Sequence, residues 1–264
     1  MEGRSWMGWL LMGNQCASAM VASCYTSPDC SILSLPCVAN ADGGNPIYME
    51  PFWMNKKESG GVLVSGWHRM GYTYINPYAE TLSTELEKYI RKLHKLVGNA
   101  ETEGRHIVFG TGSTQLLNAA VYALSSNSSN PAFVVTSTPY YSTYKEQTEM
   151  YQSRAYEYKG DTSLWKNKTN SEIVKFIEFV TSPNNPDGQL KESVLEGPSV
   201  KTIYDRVYYW PHYTAIPTLA AEDLMLFSMS KLTGHAGSRF GYVLHVTLLP
   251  FPLFSCLVHL LIAL

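Results

Sequence analysis

The sequence predicts an α/β protein built on a doubly wound, mainly parallel sheet with flanking helices. From residue 107 to residue 227, short apolar or β-branched runs alternate with turn residues and helical segments, which is the pattern of such sheets. The chain has 264 residues and 45% hydrophobic content, so it can bury a substantial core as one large domain.

The first strong helical pattern covers about residues 82–96. Its leucine, isoleucine and tyrosine residues recur at helical spacing, which makes the basic residues among them the solvated face of an amphipathic helix. These basic residues are Lys88, Arg91, Lys92 and Lys95. The net charge is −2 and no other basic cluster exists in the sequence, so no nucleic-acid partner is expected.

The next element combines a strand, a glycine-rich turn and a helix. Residues 107–109 form the predicted strand, residues 110–112 the turn, and Ser113 and Thr114 the start of the helix. Backbone amides and hydroxyls at a helix N-terminus favour an anion. Alone, the turn could equally open a nucleotide-binding unit, but the Gly-Lys of a P-loop and the third glycine of the dinucleotide fingerprint are missing.

Two further predicted strands, residues 175–180 and 199–203, are each followed by polar residues. Ligands bind at the carboxyl ends of strands in open α/β sheets. An aspartate such as Asp205 can pair there with a protonated pyridine nitrogen, and an asparagine or tyrosine can bond a phenolic oxygen. The motif at residues 185–188, Asn-Pro-Asp-Gly, is also ordinary turn chemistry and is weak alone.

Lys231 follows an apolar run at residues 223–227 and has Ser228, Ser230 and Arg239 nearby in sequence. A desolvated lysine amine can lose its proton and attack a carbonyl. The two serines and the arginine can hold a phosphate. A cofactor with both an aldehyde and a phosphate satisfies this pattern, which indicates pyridoxal phosphate. A solvated surface lysine is the alternative that this segment alone leaves open.

Taken together, these motifs resemble the plant alliinase and tryptophan aminotransferase-related family, within the fold type I pyridoxal phosphate enzymes. The resemblance runs from about residue 43 to residue 242. The matching stretches are residues 65–72, 96–100, 110–115, 181–188, 208–213 and 228–241. The resemblance implies an aspartate-aminotransferase-like large domain at residues 41–242, with the small C-terminal domain largely missing.

The resemblance also implies a role for individual residues. Lys231 would form the Schiff base and move a proton between the substrate Cα and the cofactor. Asp205 would bind the pyridine nitrogen, while Asn185 and Tyr208 would bind the phenolic oxygen. The implied phosphate ligands are Ser113, Thr114, Ser228 and Arg239. No metal site is expected.

Three tyrosines complete the implied site. Tyr72 would reach across a homodimer to the phosphate in the partner subunit. Either Tyr140 or Tyr141 would stack on the cofactor ring, and the sequence does not decide between them. Taken singly, Tyr72 and Tyr208 could instead be half-buried aromatic residues of a strand or loop.

Residues 1–40 contain four of the five cysteines and no Cys-x-x-Cys pair. Clustered cysteines of this kind favour disulfides in an oxidising compartment over a zinc or thioredoxin-type site. Residues 24–31 resemble the end of the EGF-like module that precedes the catalytic domain of alliinases, so residues 1–40 are predicted to be a partial EGF-like segment. A secretory or vacuolar location is preferred to the cytoplasm, although residues 1–23 hold no clean signal peptide.

Residues 243–264 contain no Asp, Glu, Lys or Arg. The segment is long enough to span a bilayer, but Pro250 and Pro252 disfavour a simple spanning helix. We expect a divergent hydrophobic tail in place of the small domain, which in the family supplies the arginine for the substrate carboxylate. Any membrane contact is confined to this segment.

Three functions follow from these expectations. The preferred one is an aminotransferase for an L-amino acid, above all tryptophan to indole-3-pyruvate in auxin-type metabolism, because residues 110–115 resemble the aminotransferase branch. The second is an alliinase-type carbon-sulfur lyase acting on S-alkyl-cysteine sulfoxides. Both enzymes need Lys231 to deprotonate the substrate Cα. The third is a truncated, catalytically impaired relative that binds pyridoxal phosphate.

Overall fold

The computed structural model describes residues 25–26, 32–33, 49–56, 84–125, 130–169 and 174–246. The chain divides into two compact units, residues 1–62 and 63–264. In the first unit, strand β1 (Tyr25–Thr26) pairs antiparallel with β2 (Ile32–Leu33). Helix α1 (Glu50–Asn55) carries a proline in its first turn, where the missing N–H removes no helical hydrogen bond.

The second unit alternates strands and helices along the described residues. Its helices are α2 (Thr84–Val97), α3 (Gly112–Ser125), α4 (Thr143–Met150) and α5 (Met229–Leu232). Its strands are β3 (His106–Thr111), β4 (Ala132–Thr136), β5 (Tyr156–Asp161), β6 (Phe176–Thr181), β7 (Val200–Asp205), β8 (Leu224–Ser228) and β9 (Phe240–His245). Short 3-10 turns cover Thr162–Leu164 and Ala236–Ser238.

These strands form one seven-stranded sheet in the order β3-β9-β8-β7-β6-β4-β5. The pairs from β5 through β4, β6 and β7 to β8 are all parallel, whereas β9 runs antiparallel to both β8 and β3. The predicted mainly parallel α/β sheet is therefore confirmed. Because only β9 is reversed, the carboxyl ends of β3 to β8 and the amino end of β9 share one edge.

The central strands are buried on both faces. Every residue of β6 and β8 is buried, as expected for parallel strands that are covered by other elements on each side. Helix α3 packs against β3, β8 and β9. A large aromatic cluster fills the core on one side of the sheet. Its members Trp210, Phe227 and Tyr242 are completely buried.

Helix α2 confirms its predicted pattern only in part. Ile90 is buried, and Lys88, Lys92 and Lys95 are exposed to solvent, but Leu86, Tyr89 and Leu96, which were predicted to lie on the apolar face, are exposed as well. Arg91 differs from the prediction because it is only half exposed: its guanidinium binds Glu87 on the same helix and the carbonyl oxygen of Arg105, at 2.8 Å from Nη2. This basic residue therefore anchors α2 to the loop before β3.

Several predictions concern parts of the chain that the structure does not describe. Tyr72, all five cysteines and residues 247–264 lie outside the described residues. Val243, Leu244 and His245, which begin the predicted tail, form the end of β9 and pair with both neighbouring strands. Among the helices that are described, none is long and apolar enough to cross a membrane.

Candidate active site

The predicted site residues converge on the edge where the strands end. Ser113 and Thr114 follow β3, the two candidate ring-stacking tyrosines follow β4, and Asn185 follows β6. Asp205 ends β7 and Ser228 ends β8. Lys231 lies in α5, and Arg239 immediately precedes β9. The structure thus places all of these residues at the edge that binds ligands in open α/β sheets.

An anion cradle forms where α3 begins beside Arg239. Gly112 starts the helix with φ of +75°, a conformation that favours glycine. A Cβ on Gly112 would lie 2.4 Å from Nη2 of Arg239, so the guanidinium occupies the space that a side chain would need. The first turn also carries the Ser113 and Thr114 hydroxyls. Guanidinium, hydroxyls and the unpaired N–H groups of a helix N-terminus are together suited to a phosphate.

Two neighbouring residues, Gln115 and Gly241, help to hold the parts of this cradle together. The side-chain Oε1 of Gln115 accepts a 2.6 Å hydrogen bond from the Thr111 N–H, which satisfies a donor at the start of α3. A Cβ on Gly241 would lie 2.9 Å from the carbonyl carbon of Gly112. Glycine at position 241 therefore lets β9 approach the start of α3 closely and brings Arg239 with it.

Ser228 joins β8 to the short helix that carries the lysine. Its Oγ accepts a 3.1 Å hydrogen bond from the Ser230 N–H, which caps the N-terminus of α5, and donates to the Phe240 carbonyl at 3.4 Å. Ser228 is buried. This arrangement fixes the start of α5 relative to the first residue of β9, next to Arg239.

Lys231 lies one turn further along α5 and is half-buried. Its Nζ is 5.0 Å from the ring centroid of Tyr208, a cation–π distance. Tyr208 is itself buried and packs edge-on against Tyr213, with ring centroids 5.1 Å apart. His212 Nε2 lies 2.9 Å from the Lys231 carbonyl oxygen. The lysine is thus held against an aromatic wall formed by the segment that follows β7.

Asp205 is a buried carboxylate, only 3% exposed, at the end of β7. Its Oδ2 accepts a 2.8 Å hydrogen bond from the Tyr144 hydroxyl, and its Oδ1 accepts one of 3.2 Å from the Val207 N–H. Burial raises the pKa of Asp205 to about 6, and the two hydrogen bonds and the charge of Lys231 oppose that rise. The carboxylate is therefore ionised at neutral pH and able to pair with a buried cation.

Tyr144 and Thr181 are members of this site that the sequence did not reveal. Tyr144 is fully buried in α4 and stacks on Phe179 of β6, with ring centroids 4.3 Å apart and 7° between the planes. Its hydroxyl lies 2.5 Å from Oγ1 of Thr181 and 2.8 Å from Asp205. The sequence holds one signal for Tyr144: it follows Tyr141 by three residues at the start of a helix, and residues at that spacing are neighbours on a helix surface.

The structure distinguishes the two candidate stacking tyrosines. Tyr141 packs edge-on against Tyr144, with ring centroids 5.6 Å apart and 87° between the planes. Tyr140 instead faces Tyr158 of β5, at 6.1 Å. Tyr141 is therefore in contact with the tyrosine that binds Asp205, whereas Tyr140 is directed toward the outer strand.

The two asparagines after β6 also differ. Asn184 is buried, and its Nδ2 donates to the Pro139 carbonyl at 3.0 Å and to Asp187 Oδ1 at 2.8 Å. These bonds join the loop after β6 to the loop after β4. Asn185 is half-buried at the same edge of the sheet. The pair thus combines a structural asparagine with one that is accessible to a ligand.

The donor set fits pyridoxal phosphate. The cradle at Gly112 and Arg239 suits its phosphate, and the buried carboxylate of Asp205 suits a protonated ring nitrogen. Lys231 lies on α5, with its amine over the Tyr208 ring. Within the described ranges, no group of three or more His, Cys, Asp or Glu side chains is placed to hold a metal ion.

Sequence comparisons place this chain in a known family. The sequence model of the family described as allinase matches residues 39–246. Tryptophan aminotransferase-related protein 3 of Arabidopsis thaliana is 55% identical over 223 residues, which cover 84% of this chain and 49% of that protein. Alliin lyase of Allium cepa var. aggregatum is 48% identical over 227 residues, 84% of this chain and 50% of that protein. The chain spans about half the length of the curated relatives it matches.

The fold has relatives among solved structures. Cystalysin from Treponema denticola, whose crystal structure contains a pyridoxal 5'-phosphate cofactor, superposes with a TM-score of 0.53 at 15% identity. The superposition covers 81% of this chain and 56% of that one, and it confirms the predicted aminotransferase-like fold. With its sheet, its ordered motifs and its match to residues 39–246, the chain belongs to the alliinase and tryptophan aminotransferase-related family.

Proposed function

We propose that this chain is a pyridoxal phosphate-dependent aminotransferase that converts an L-amino acid, preferably tryptophan, to the corresponding 2-oxo acid, indole-3-pyruvate. One observation carries the proposal: an anion cradle, a buried carboxylate and a lysine meet at one edge of the sheet. The sequence likeness to tryptophan aminotransferase-related protein 3, at 55% identity, supports the choice of reaction and substrate. The same preference suggests a role in auxin-type metabolism.

Each part of the site would hold one part of the cofactor. Asp205 would pair with the pyridine nitrogen, and Asn185 and Tyr208 would bond the phenolic oxygen. The phosphate would be held by Ser113, Thr114, Ser228 and Arg239. When bound, pyridoxal phosphate supplies an electron sink for negative charge that develops at the substrate Cα.

Lys231 would anchor the cofactor and act as the base in the proton transfer. Its amine lies over the Tyr208 ring and close enough to Asp205 to lower the pKa of that carboxyl. Lys231 would take the proton from the substrate Cα and transfer it to the cofactor.

Tyr141 is the preferred ring-stacking residue. It contacts Tyr144, which binds Asp205, and it lies in the loop after β4 at the edge of the site. A ring placed against both the Asp205 carboxylate and an aromatic face would be fixed in orientation and in depth. Tyr140 faces Tyr158 and is the control position for this assignment.

A carbon-sulfur lyase is the alternative, because alliin lyase of Allium cepa var. aggregatum is 48% identical over the same 84% of this chain. Both reactions begin with loss of the Cα proton to Lys231. A transaminase requires a 2-oxo acid as acceptor, whereas a lyase releases pyruvate and ammonia from an S-alkyl-cysteine sulfoxide without one. Assaying both substrates with and without 2-oxoglutarate separates the two.

The proposal is tested first by the visible spectrum of the purified chain titrated with pyridoxal phosphate. We expect an absorption band that Lys231→Ala abolishes and that Lys201→Ala, an exposed lysine at the other end of β7, leaves intact. The band is expected to change when L-tryptophan is added. A band that ignores every amino acid would indicate a cofactor-binding relative without turnover, and no band from folded protein would refute the enzyme proposal.

We further propose a homodimer in which Tyr72 reaches the phosphate bound by the partner subunit. This proposal rests on the resemblance of residues 65–72 to the family. Light scattering of the purified chain tests the oligomeric state. Tyr72→Phe is expected to weaken cofactor binding without dissociating the dimer, whereas a monomeric chain would refute the proposal.

Residues 1–40 are proposed to be a partial EGF-like segment of a secreted or vacuolar protein. The clustering of four cysteines in residues 1–40 supports this proposal, and strands β1 and β2 within the same residues pair antiparallel. Mass spectrometry of unreduced peptides from plant-expressed protein tests this. Fully reduced cysteines in residues 1–40 would favour the cytoplasmic alternative.

A further inference from the structure

A chain of hydroxyl groups lies behind Asp205, on the side of α4 and β6. Ionised Asp205 can only accept hydrogen bonds, so the Tyr144 hydroxyl donates its single proton to Oδ2 at 2.8 Å. The same hydroxyl must then accept the hydrogen bond from Thr181 Oγ1 at 2.5 Å. The direction of both bonds is thereby determined, and each one polarises the next toward the carboxylate.

The ring of Tyr144 is held so that its hydroxyl cannot turn elsewhere. Phe179 stacks on one face at 4.3 Å, and Tyr141 packs edge-on at 5.6 Å. Tyr144 is 0% exposed, and its own backbone carbonyl accepts a 2.6 Å hydrogen bond from Thr148. The tyrosine is therefore a rigid donor aimed at one carboxylate oxygen.

We propose that Tyr144 is a positioning residue that keeps Asp205 ionised and correctly oriented for the pyridine nitrogen of the cofactor, with Thr181 as its supporting donor. This inference rests on the proposed function. The charged group that acts on Asp205 from the other side is Lys231 of α5, and the Val207 N–H binds the second oxygen. Tyr144 supplies the side-chain hydrogen bond to the buried carboxylate on the α4 side.

The physical role of this donor follows from the proton that Asp205 and the pyridine nitrogen would share. A donor on the carboxylate lowers its proton affinity, so the proton would stay on the nitrogen and the bound ring would stay positively charged. Without the phenolic hydroxyl, Asp205 would be the stronger base and would draw the proton toward itself. The bound ring would then be a weaker acceptor of electrons from the substrate.

The test is the ¹⁵N chemical shift of pyridoxal phosphate labelled at the pyridine nitrogen and bound to the full chain at one pH. The variants are Tyr144→Phe, Thr181→Val, Asp205→Asn and Tyr242→Phe. Tyr144→Phe keeps the ring that packs on Phe179, so we expect it to fold. Tyr242→Phe is the matched control, because Tyr242 is equally buried and its hydroxyl lies 2.8 Å from His94, away from Asp205.

We expect the unaltered chain and Tyr242→Phe to give the shift of a protonated nitrogen, and Asp205→Asn that of an unprotonated one. Tyr144→Phe should lie between these values and bind the cofactor roughly tenfold more weakly, with Thr181→Val changed in the same direction by less. A Tyr144→Phe shift equal to that of the unaltered chain would overturn the inference while the proposed function stands. Failure of the unaltered chain to bind pyridoxal phosphate would overturn both.

Discussion

Arg239 lies against Gly112, at the point where any other residue would place its Cβ. That atom would be 2.4 Å from Nη2 and 2.9 Å from Cζ of the arginine. The phosphate cradle therefore depends on the absence of a side chain at position 112, as well as on the charge at position 239. A substitution at either position damages the same site for a different physical reason.

We predict that Gly112→Ala displaces the guanidinium and weakens pyridoxal phosphate binding by at least about tenfold, in addition to a backbone strain of roughly 1–2 kcal/mol. Fluorescence titration gives the affinity, and chemical unfolding gives the stability. Gly104→Ala is the matched control, because Gly104 has a similar φ of +68° and open space at its Cβ. Equal losses of affinity in the two variants would assign the effect to strain alone.

A second prediction concerns the free energy of unfolding that the protein loses by keeping the Asp205 carboxylate buried. Burial raises its folded-state pKa from 3.8 to about 6, so the folded protein retains a proton that the unfolded chain releases between these values. The cofactor-free protein therefore loses stability as the pH rises from about 4 through about 6. Above that range the loss is constant, on the order of 3 kcal/mol at about 1.4 kcal/mol per pKa unit.

We accordingly expect Asp205→Asn to unfold at higher denaturant concentration than the unaltered cofactor-free chain at pH 7.5. The difference should shrink toward pH 4, where both side chains are neutral. An asparagine oxygen can still accept the hydrogen bond from Tyr144, so the site need not collapse. If the unaltered chain proves at least as stable at both pH values, its hydrogen bonds offset the burial of the carboxylate completely.

The third prediction follows from His94, a residue of α2 that is 0% exposed and packs against Trp210 of the aromatic core. Its Nδ1 and Nε2 lie 2.8 Å from Asn99 Oδ1 and from the Tyr242 hydroxyl, and burial lowers its pKa to about 4. The unfolded chain takes up a proton as the pH falls below about 6.5, and the folded protein does not until about 4. Stability is therefore lost across this window as the pH falls.

We predict that the unaltered chain loses about 2 kcal/mol more unfolding free energy between pH 7 and pH 5 than His94→Gln does. His245, whose burial also lowers its pKa to about 4, contributes in the same direction in both proteins and cancels from the comparison. Urea unfolding at a series of pH values measures the difference. Exposed His235→Gln is the control, and parallel pH curves for the unaltered chain and His94→Gln would contradict the prediction.

The fourth prediction concerns the ion pair beside the site. Arg206 follows Asp205 and is 5% exposed; it bonds Glu222, and its guanidinium lies 4.7 Å from the Tyr209 ring. Glu222→Ala leaves this buried cation unpaired and is expected to cost about 3 kcal/mol in unfolding free energy. Glu157→Ala, which breaks the half-exposed pair with Lys159, should cost less than about 1 kcal/mol. Equal costs would show that Arg206 is satisfied by its other contacts.

The sequence was sufficient to predict the strands β3, β6, β7 and β8 and the edge at which they end. Each is a local apolar run followed by polar residues, and that pattern needs no knowledge of distant contacts. The antiparallel position of β9 between β3 and β8 was not predicted, because it depends on pairing residues 106–111 with residues 240–245. Such pairing leaves no local signal.

The candidate site shows the same difference between features with a local sequence signal and features that depend on distant contacts. The predicted roles of Lys231 and Asp205 rest on residue type and on their place after a strand. The difference between Tyr140 and Tyr141 depends on how the loop after β4 turns, and the bond from Tyr144 to Asp205 joins a helix to a strand remote in sequence. Residues that act on a ligand through another side chain are missed when the sequence is considered one motif at a time.

The position of β9 also sets an order of events during synthesis. In the sheet, β3 has β9 as its hydrogen-bonded neighbour, and β9 is the last of these strands to leave the ribosome. The nascent chain therefore presents β3 and the glycine turn after it long before their partner exists. Arg239 arrives with that partner, so the two halves of the phosphate cradle meet only after β9 has been made. Capture of the cofactor would thus report that β9 has been translated and has paired with β3.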